Sequence, residues 1–279
     1  MTMDKSVRHS FKWVFIWMFC AMLVAVGIYL FVDPTYALEF VGCYLLEFSL
    51  SMDNVFVFLS IFASFGVPEP YQHRCLAYGI IGAVVMRFLF ILLGATIVHS
   101  FSWVLYIFGF ILIYSGVKMF REHGSEEPKS PHDNPVLKVL NRILPVTRDF
   151  SSNHFFTREH GRLMMTPLFA VLIVIESSDI MFAIDSVPAA FSVSSNMYVI
   201  YAANIFAILG LRQLFFVIEH MQNRFCFMKY GVAAILTFTG IKLALLIFNV
   251  HISIPVSIGF ILAMLFISIV SSLIYTRKR

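Results

Sequence analysis

The sequence predicts an all-α, polytopic membrane protein with eight transmembrane helices. Two inverted three-helix repeats, helices 2–4 and 5–7, are flanked by helices 1 and 8. Three observations lead there. The 279 residues are 59% hydrophobic and only 13% charged, with a mean hydropathy of +0.85, whereas about 25% of residues are charged in a soluble domain. Eight apolar segments are each long enough to cross a bilayer, which takes roughly 17–25 residues. Polar landmarks of the first half also recur in the second at a near-constant distance.

The segments lie near 11–31, 36–64, 76–97, 102–120, 167–190, 198–219, 228–248 and 253–275. The first follows Lys5, Arg8 and Lys12, but it is too long for a signal-peptide core and has no small-residue cleavage site. It is therefore expected to stay attached. The second exceeds what a bilayer requires, so it tilts or its ends protrude. Between the fourth and fifth, residues 121–166 form the one long polar stretch, a loop with seven basic and six acidic residues. Within it, 134–144 carries apolar residues at helical spacing, and 154–167 has the look of a small hairpin. The loop histidines, His123, His132, His154 and His160, are expected to be solvated. Residues 1–279 thus form one transmembrane domain: 36–120 the first repeat, 121–166 the loop and 167–248 the second repeat.

Orientation follows from Lys and Arg in the connections. Those near 32–35, 98–101, 191–197 and 249–252 hold none, whereas the alternate ones hold Arg74, the seven basic residues of the loop, and Arg224. Both termini are basic. The N- and C-termini are therefore expected in the cytoplasm, with the chain in a bacterial cytoplasmic membrane. The net charge of +4 reflects this topology and calls for no nucleic-acid partner. Cys20, Cys43, Cys75 and Cys226 show no CxxC spacing and are expected to be small buried hydrophobes.

The internal repeat rests on three landmarks. Asn54 matches Asp179 and Arg87 matches Arg212, both 125 residues apart, and Gly116–Lys118 (GVK) matches Gly240–Lys242 (GIK) at 124. Because each copy has an odd number of spans, the second is upside down. Inverted repeats of this kind build alternating-access transporters, with substrate sites at the repeat interface.

Function is expected where charge is buried. Of sixteen acidic residues, only Glu47, Asp53, Glu176, Asp179 and Asp185 lie well within spans. Each costs roughly 2.5–3.5 kcal/mol to insert at a helix centre. Glu47, Ser51 and Asn54 share one face of helix 2 at i, i+4 and i+7, and Glu176 and Asp179 share a face of helix 5. Asp185 is about 180° round from Glu176 on an ideal helix. A common cavity for both would need a break near 184–187, which Pro188 is placed to cause. Such a discontinuity is expected. Arg87 and Arg212, central in helices 3 and 6, are the expected counter-charges; Lys118 is expected to snorkel, and Lys242 lies deeper.

Glu47, Asp53, Asn54, Glu176, Asp179 and Asp185 are therefore the candidate metal ligands, with Ser51, Ser178 and Ser186 nearby. Hard oxygen donors suit Mg²⁺, Ca²⁺ or Mn²⁺. A thioether from Met52 or Met181 would tilt preference toward Mn²⁺.

The stretches EFSLSMDNVFVF, YGIIGAVVMRFLFI, YIFGFILIYSGVKM, VIESSDIMFAIDSVPAAF and NIFAILGLRQLFFV resemble the TerC/Alx family of bacterial membrane proteins over about residues 36–275. On that resemblance, Glu47, Asp53 and Asn54 match the family's first acidic motif, and Glu176, Asp179 and Asp185 its second. Alx-type members carry an extra N-terminal span that is not found here. The family is named for tellurium resistance, and members are implicated in manganese export. The resemblance implies a Mn²⁺ exporter with no permanently bound cofactor, Mn²⁺ being the transported substrate, with proton antiport as the expected coupling. The implied partners are the lipid bilayer and a divalent cation; the oligomeric state is not written in the sequence. One alternative is a non-transporting membrane component of tellurite or envelope-stress resistance, although a carboxylate site suits no anion. An intramembrane aspartyl protease is more remote, because no GxGD pattern surrounds Asp179 or Asp185, and no enzymatic activity is expected.

Overall fold

A computed structural model describes residues 5–121, 154–159, 162–221 and 227–277. Among the described residues the chain forms eight long helices and one two-stranded hairpin. The helices are α1 (Lys5–Phe31), α2 (Pro34–Phe65), α3 (Glu69–Ser100), α4 (Val104–Arg121), α5 (Pro167–Phe191), α6 (Met197–Met221), α7 (Met228–Leu245) and α8 (Ile254–Arg277). Seven are long and apolar enough to cross a membrane, and α6 makes the eighth if its two bent halves count as one span. All eight expected segments are present. The expected amphipathic stretch at 134–144 and Cys226 lie outside the described residues.

Helix boundaries follow local chemistry. Asp33 caps α2 in an extended conformation, its Oδ1 accepting from the Thr35 amide at 2.6 Å, and Pro34 supplies a first-turn residue that needs no N–H partner. Gly66 ends the same helix at φ +60°, the left-handed conformation that glycine adopts without penalty. Helix α3 begins at Glu69, seven residues before the segment read from hydropathy. The polar EPYQHR stretch starts it, with proline at its first positions, and this turn is invisible to an apolar window. Both α2 and α3 have 32 residues, about 48 Å of rise against a hydrocarbon core of about 30 Å.

The hairpin expected before helix 5 is present: β1 (Phe156–Glu159) pairs antiparallel with β2 (Arg162–Met165), Phe156 opposite Met165. Thr166 ties its base, its Oγ1 donating to the His154 carbonyl at 2.9 Å and its amide to the Phe155 carbonyl at 2.9 Å. Phe155 and Phe156 both pack on Phe169 of α5, fixing the hairpin to the helix it precedes.

The expected discontinuity in helix 5 is absent. Helix α5 runs unbroken through Pro188 to Phe191. The proline falls in the last turn, so its missing N–H and its ring disturb only the final turn rather than the helix centre. The bend is elsewhere: α6 turns by 42° where Met197–Leu211 meets Gln213–Glu219. Gly210, with no neighbour where a side chain would be, leaves the backbone least restrained just before it.

Buried side chains concentrate on α2, α5, α6 and α7, while α1 and α8 show Phe15, Phe19, Leu30 and Phe266 outward. Helix α4 packs along α7, α2 along α6, and α3 along α5 and α6; α2 also meets α5. The α4–α7 seam is very close. A Cβ on Gly240 would stand 2.7 Å from the Gly109 carbonyl, and one on Gly116 would stand 2.8 Å from that of Ala233. Without lipid-excluded hydrophobic force, backbones approach through small residues. Cys43 and Cys75 are buried free thiols, as expected, while Cys20 is half-buried.

Candidate functional site

Because α5 is regular, Glu176 and Asp185 point to opposite sides of it, and the six candidate ligands do not converge on one point. Among the described residues no three His, Cys, Asp or Glu side chains form a ready metal cage. The structure distributes the acids instead.

Asp53 and Asn54 of α2 meet Asp185 and Ser186 of α5 around a cavity of about 30 Å³, also lined by Met119 of α4 and by Leu50, Phe182, Val232 and Leu236. That is room for a water or two, or for a small cation. Ser115 of α4 donates through Oγ to Asp185 Oδ1 at 2.8 Å. Lys118, one turn further and exposed as expected, is near enough for its charge to act on Asp185. The Asn54 Nδ2 and Ser186 Oγ atoms are buried without a hydrogen-bond partner, and such atoms are usually satisfied by water or an ion.

Two turns along the same face of α2 from Asn54, Glu47 is 1% exposed and forms an ion pair with Arg87 of α3, whose Nη1 donates to Glu47 Oε2. The same nitrogen donates to Asn204 Oδ1 of α6 at 3.3 Å. Asp179 is buried and borders a smaller cavity of about 10 Å³ with Gly79, Ala83 and Ile208, and the Arg87 charge acts on it too. Glu176 is half-buried, its carboxylate lying where a side chain on Gly82 of α3 would begin. Of the two expected counter-charges, Arg87 is paired with Glu47; the side chain of Arg212 lies outside the described residues.

Several expected neighbours are placed elsewhere. Met181 is 69% exposed, and Met52 packs partly buried on the apolar core. The thioether at the cavity is Met119, which the sequence hid as an ordinary residue near the end of an apolar helix. Ser178 donates to the Val174 carbonyl of its own helix at 2.9 Å, so of the three serines expected near the site Ser51 and Ser186 are without partners. A thiol does lie near: Cys43 is one turn from Glu47, its Sγ 3.8 Å from the Ala190 carbonyl. Sequence reasoning also missed Asn204, Ser115 and Gly82. Asn204, a carboxamide in the middle of an apolar helix, was the one with a visible signal. At Lys242, left open above, the buried Nζ donates to Ser257 Oγ of α8 at 3.0 Å.

A bundle of apolar helices that hides carboxylates, carboxamides and a guanidinium along its centre defines an integral, multi-pass membrane protein with a polar interior. The profile of the integral membrane protein TerC family matches residues 32–279, and the chain belongs to that family. It is 39% identical over 270 residues to the uncharacterized membrane protein STKORF319 of Myxococcus xanthus, covering 97% of this chain and 84% of that one. It is also 39% identical over 269 residues to Alx of Escherichia coli K12, covering 93% and 83%; that protein's name offers a membrane-bound redox modulator as a provisional role. An uncharacterized membrane protein of Rickettsia bellii is 38% identical over 276 residues, covering 98% and 91%. No solved structure matches the chain.

Proposed function

We propose that this protein is a secondary transporter of divalent metal ions, Mn²⁺ foremost, which it exports across the bacterial cytoplasmic membrane with both termini inside. The observation that carries the reading is the cavity where Asp53 and Asn54 of α2 face Asp185 and Ser186 of α5. Carboxylates at membrane depth line substrate and ion pathways or proton relays. Oxygen donors with one thioether, Met119, favour Mn²⁺ over the harder Mg²⁺ and Ca²⁺. Export as the direction rests on the family resemblance.

Inverted repeats would supply the moving parts, and the packing supports them. Exchanging α2 with α5, α3 with α6 and α4 with α7 turns the α2–α6 contact into α5–α3 and the α2–α7 contact into α5–α4. All four are present, as are the self-related pairs α2–α5, α3–α6 and α4–α7. The α4–α7 close approaches, Gly109 to Gly240 and Gly116 to Ala233, exchange with each other at the 124-residue offset. Moving a dication outward against an inside-negative potential is opposed by about 4.6 kcal/mol per 100 mV, so a counter-ion is needed, and we take it to be the proton, carried by a carboxylate.

The redox role in the relatives' name would have to act here through thiols such as Cys43 and Cys75. These are buried against the Ala190 and Leu168 carbonyls, and the carboxylate-lined cavity favours ion transport instead.

The test is Mn²⁺ uptake by everted vesicles holding the protein, with and without a pH gradient. Uptake that depends on the protein, and is lost in Asp53→Asn and Asp185→Asn variants at normal membrane levels, supports the reading. Protein-free vesicles matching it would reject it.

A further inference from the structure

We propose that Arg87 is a tethered cation competing with the transported ion for Glu47, so that an ion occupies Glu47 only when the guanidinium has left it. The proposal rests on the transport reading above and adds a second, outer station to its path.

The pair is half made. A buried arginine and carboxylate held for stability gain most from a bidentate fork, with two parallel N–H···O bonds and the remaining atoms satisfied. Here one nitrogen, Nη1, serves both Glu47 Oε2 and Asn204 Oδ1. Glu47 Oε1, Arg87 Nε and Asn204 Nδ2 are buried with no partner. Leaving such atoms unpaired is destabilising, the more so for charged groups.

Between Tyr44 and Ser51 the unpartnered buried atoms of α2 are all oxygens. Tyr44, Glu47 and Ser51 stand at i, i+3 and i+7, one stripe of α2. Tyr44 OH, Glu47 Oε1 and Ser51 Oγ are all buried and unpartnered. Glu47 Oε2 and the Asn204 carbonyl, from α2 and α6, are the oxygens that share the Arg87 nitrogen. Hard divalent cations take six or more oxygen ligands, waters included, whereas a guanidinium brings only donors and uses one oxygen of the carboxylate.

The arginine's origin gives the exchange a mechanical handle. It comes from α3, which packs mainly on α5 and α6, so its side chain reaches across to α2 instead of being held beside it. A shift of α3 and α5 against α2 and α6 would withdraw the guanidinium and expose the oxygens together. While it stays, the competent fraction of Glu47 sites is small, and apparent affinity falls by that fraction.

The experiment is Mn²⁺ titration calorimetry on the purified full chain in detergent, with a thermal melt as the folding control. Arg87→Gln is expected to bind Mn²⁺ at least tenfold more tightly than wild type while Mn²⁺ uptake by everted vesicles holding it slows, because release loses its displacing charge. Arg87→Lys keeps the charge on a shorter stem and a single point, and is expected to tighten binding several-fold; it decides the matter alone if Arg87→Gln does not fold. Adding Glu47→Gln is expected to abolish the gain. Unchanged or weaker binding in both arginine variants overturns the proposal, as does a gain in the arginine variants that survives the added Glu47→Gln. A wild type that takes up no divalent cation would instead overturn the transport reading itself.

Discussion

Replacing Asp185 with asparagine removes a charge from the cavity and little else. The amide has the carboxylate's size, and its carbonyl can still accept from Ser115 Oγ, which now stands 2.8 Å from Asp185 Oδ1. Val187, Ala189 and Ala190 around it stay buried and unaltered, so folding should be spared. A dication about 4 Å from a unit charge gains about 8 kcal/mol at an effective dielectric of 20. Ion dehydration and the amide dipole return much of that. Removing one member of a buried charge pair costs about 3–5 kcal/mol, and the lower figure already means a roughly hundredfold weaker site. The assay is the initial rate of Mn²⁺ uptake by everted vesicles across a concentration series. Half-saturation should move up about a hundredfold for Asp185→Asn. It should move about fivefold for Ser115→Ala, which loses one hydrogen bond of about 1 kcal/mol. An Asp185→Asn protein present at wild-type level and saturating at the wild-type concentration would refute the cavity as the site.

Gly240→Ala should cost about 1–3 kcal/mol through overpacking, because its Cβ would meet the Gly109 carbonyl and Ile113 nitrogen, both 2.7 Å away and both backbone; Gly27→Ala, with nothing within 4 Å, should melt no lower than wild type. Gly82→Ala should fold, since the atom it strikes is the far end of the Glu176 side chain; carbodiimide labelling followed by mass spectrometry should find Glu176 more reactive once pushed off α3. Asp33→Ala should free the start of α2, read as faster amide exchange at Thr35. Hydrogen bonds from Thr35 hold the Asp33 carboxyl below its ordinary value of 3.8, so its contribution is present above about pH 4 and fades as pH falls through the lowered value. Wild type and Asp33→Ala should therefore differ at neutral pH and converge in acid.

The helices were legible because lipid leaves one solution to the backbone. With no water to satisfy peptide groups, a long apolar run must be a helix, and hydropathy finds it whatever its neighbours do. The hairpin of β1 and β2 falls where the sequence has two short runs before Pro167. What hydropathy cannot see is the polar first turn of α3. Residue chemistry located buried charge correctly, because Glu47 and Asp179 are costly wherever they sit. It could not say which of them share a cavity. That depends on the rotation of α5 about its axis and on whether Pro188 breaks it, and a proline so near a helix end has too little helix after it to force the answer. Met119 and Ser115 became site residues only through the α4–α5 packing, which no periodicity within α4 encodes.

The division of the acids bears on how an ion could pass. On α2, Glu47 and Asn54 differ by about 10 Å of rise, and on α5, Glu176 and Asp185 differ by about 13 Å. A metal–oxygen bond is only about 2.0–2.6 Å long, so no single ion touches both ends of either set. The two helices run antiparallel: Cys43 meets Ala190, Asp53 and Asp185 share the cavity, and Phe58 packs on Phe182. Moving from the cavity toward Glu47 on α2 and toward Glu176 on α5 therefore leads in opposite directions. On the proposed orientation Glu176 lies on the cytoplasmic side, the Asp53–Asp185 cavity between, and Glu47 with Arg87 on the outer side. Carboxylates so spaced lower the cost of a dication at successive depths without holding it tightly at any one. Placing the competing guanidinium at the outer station biases the last of these steps toward release.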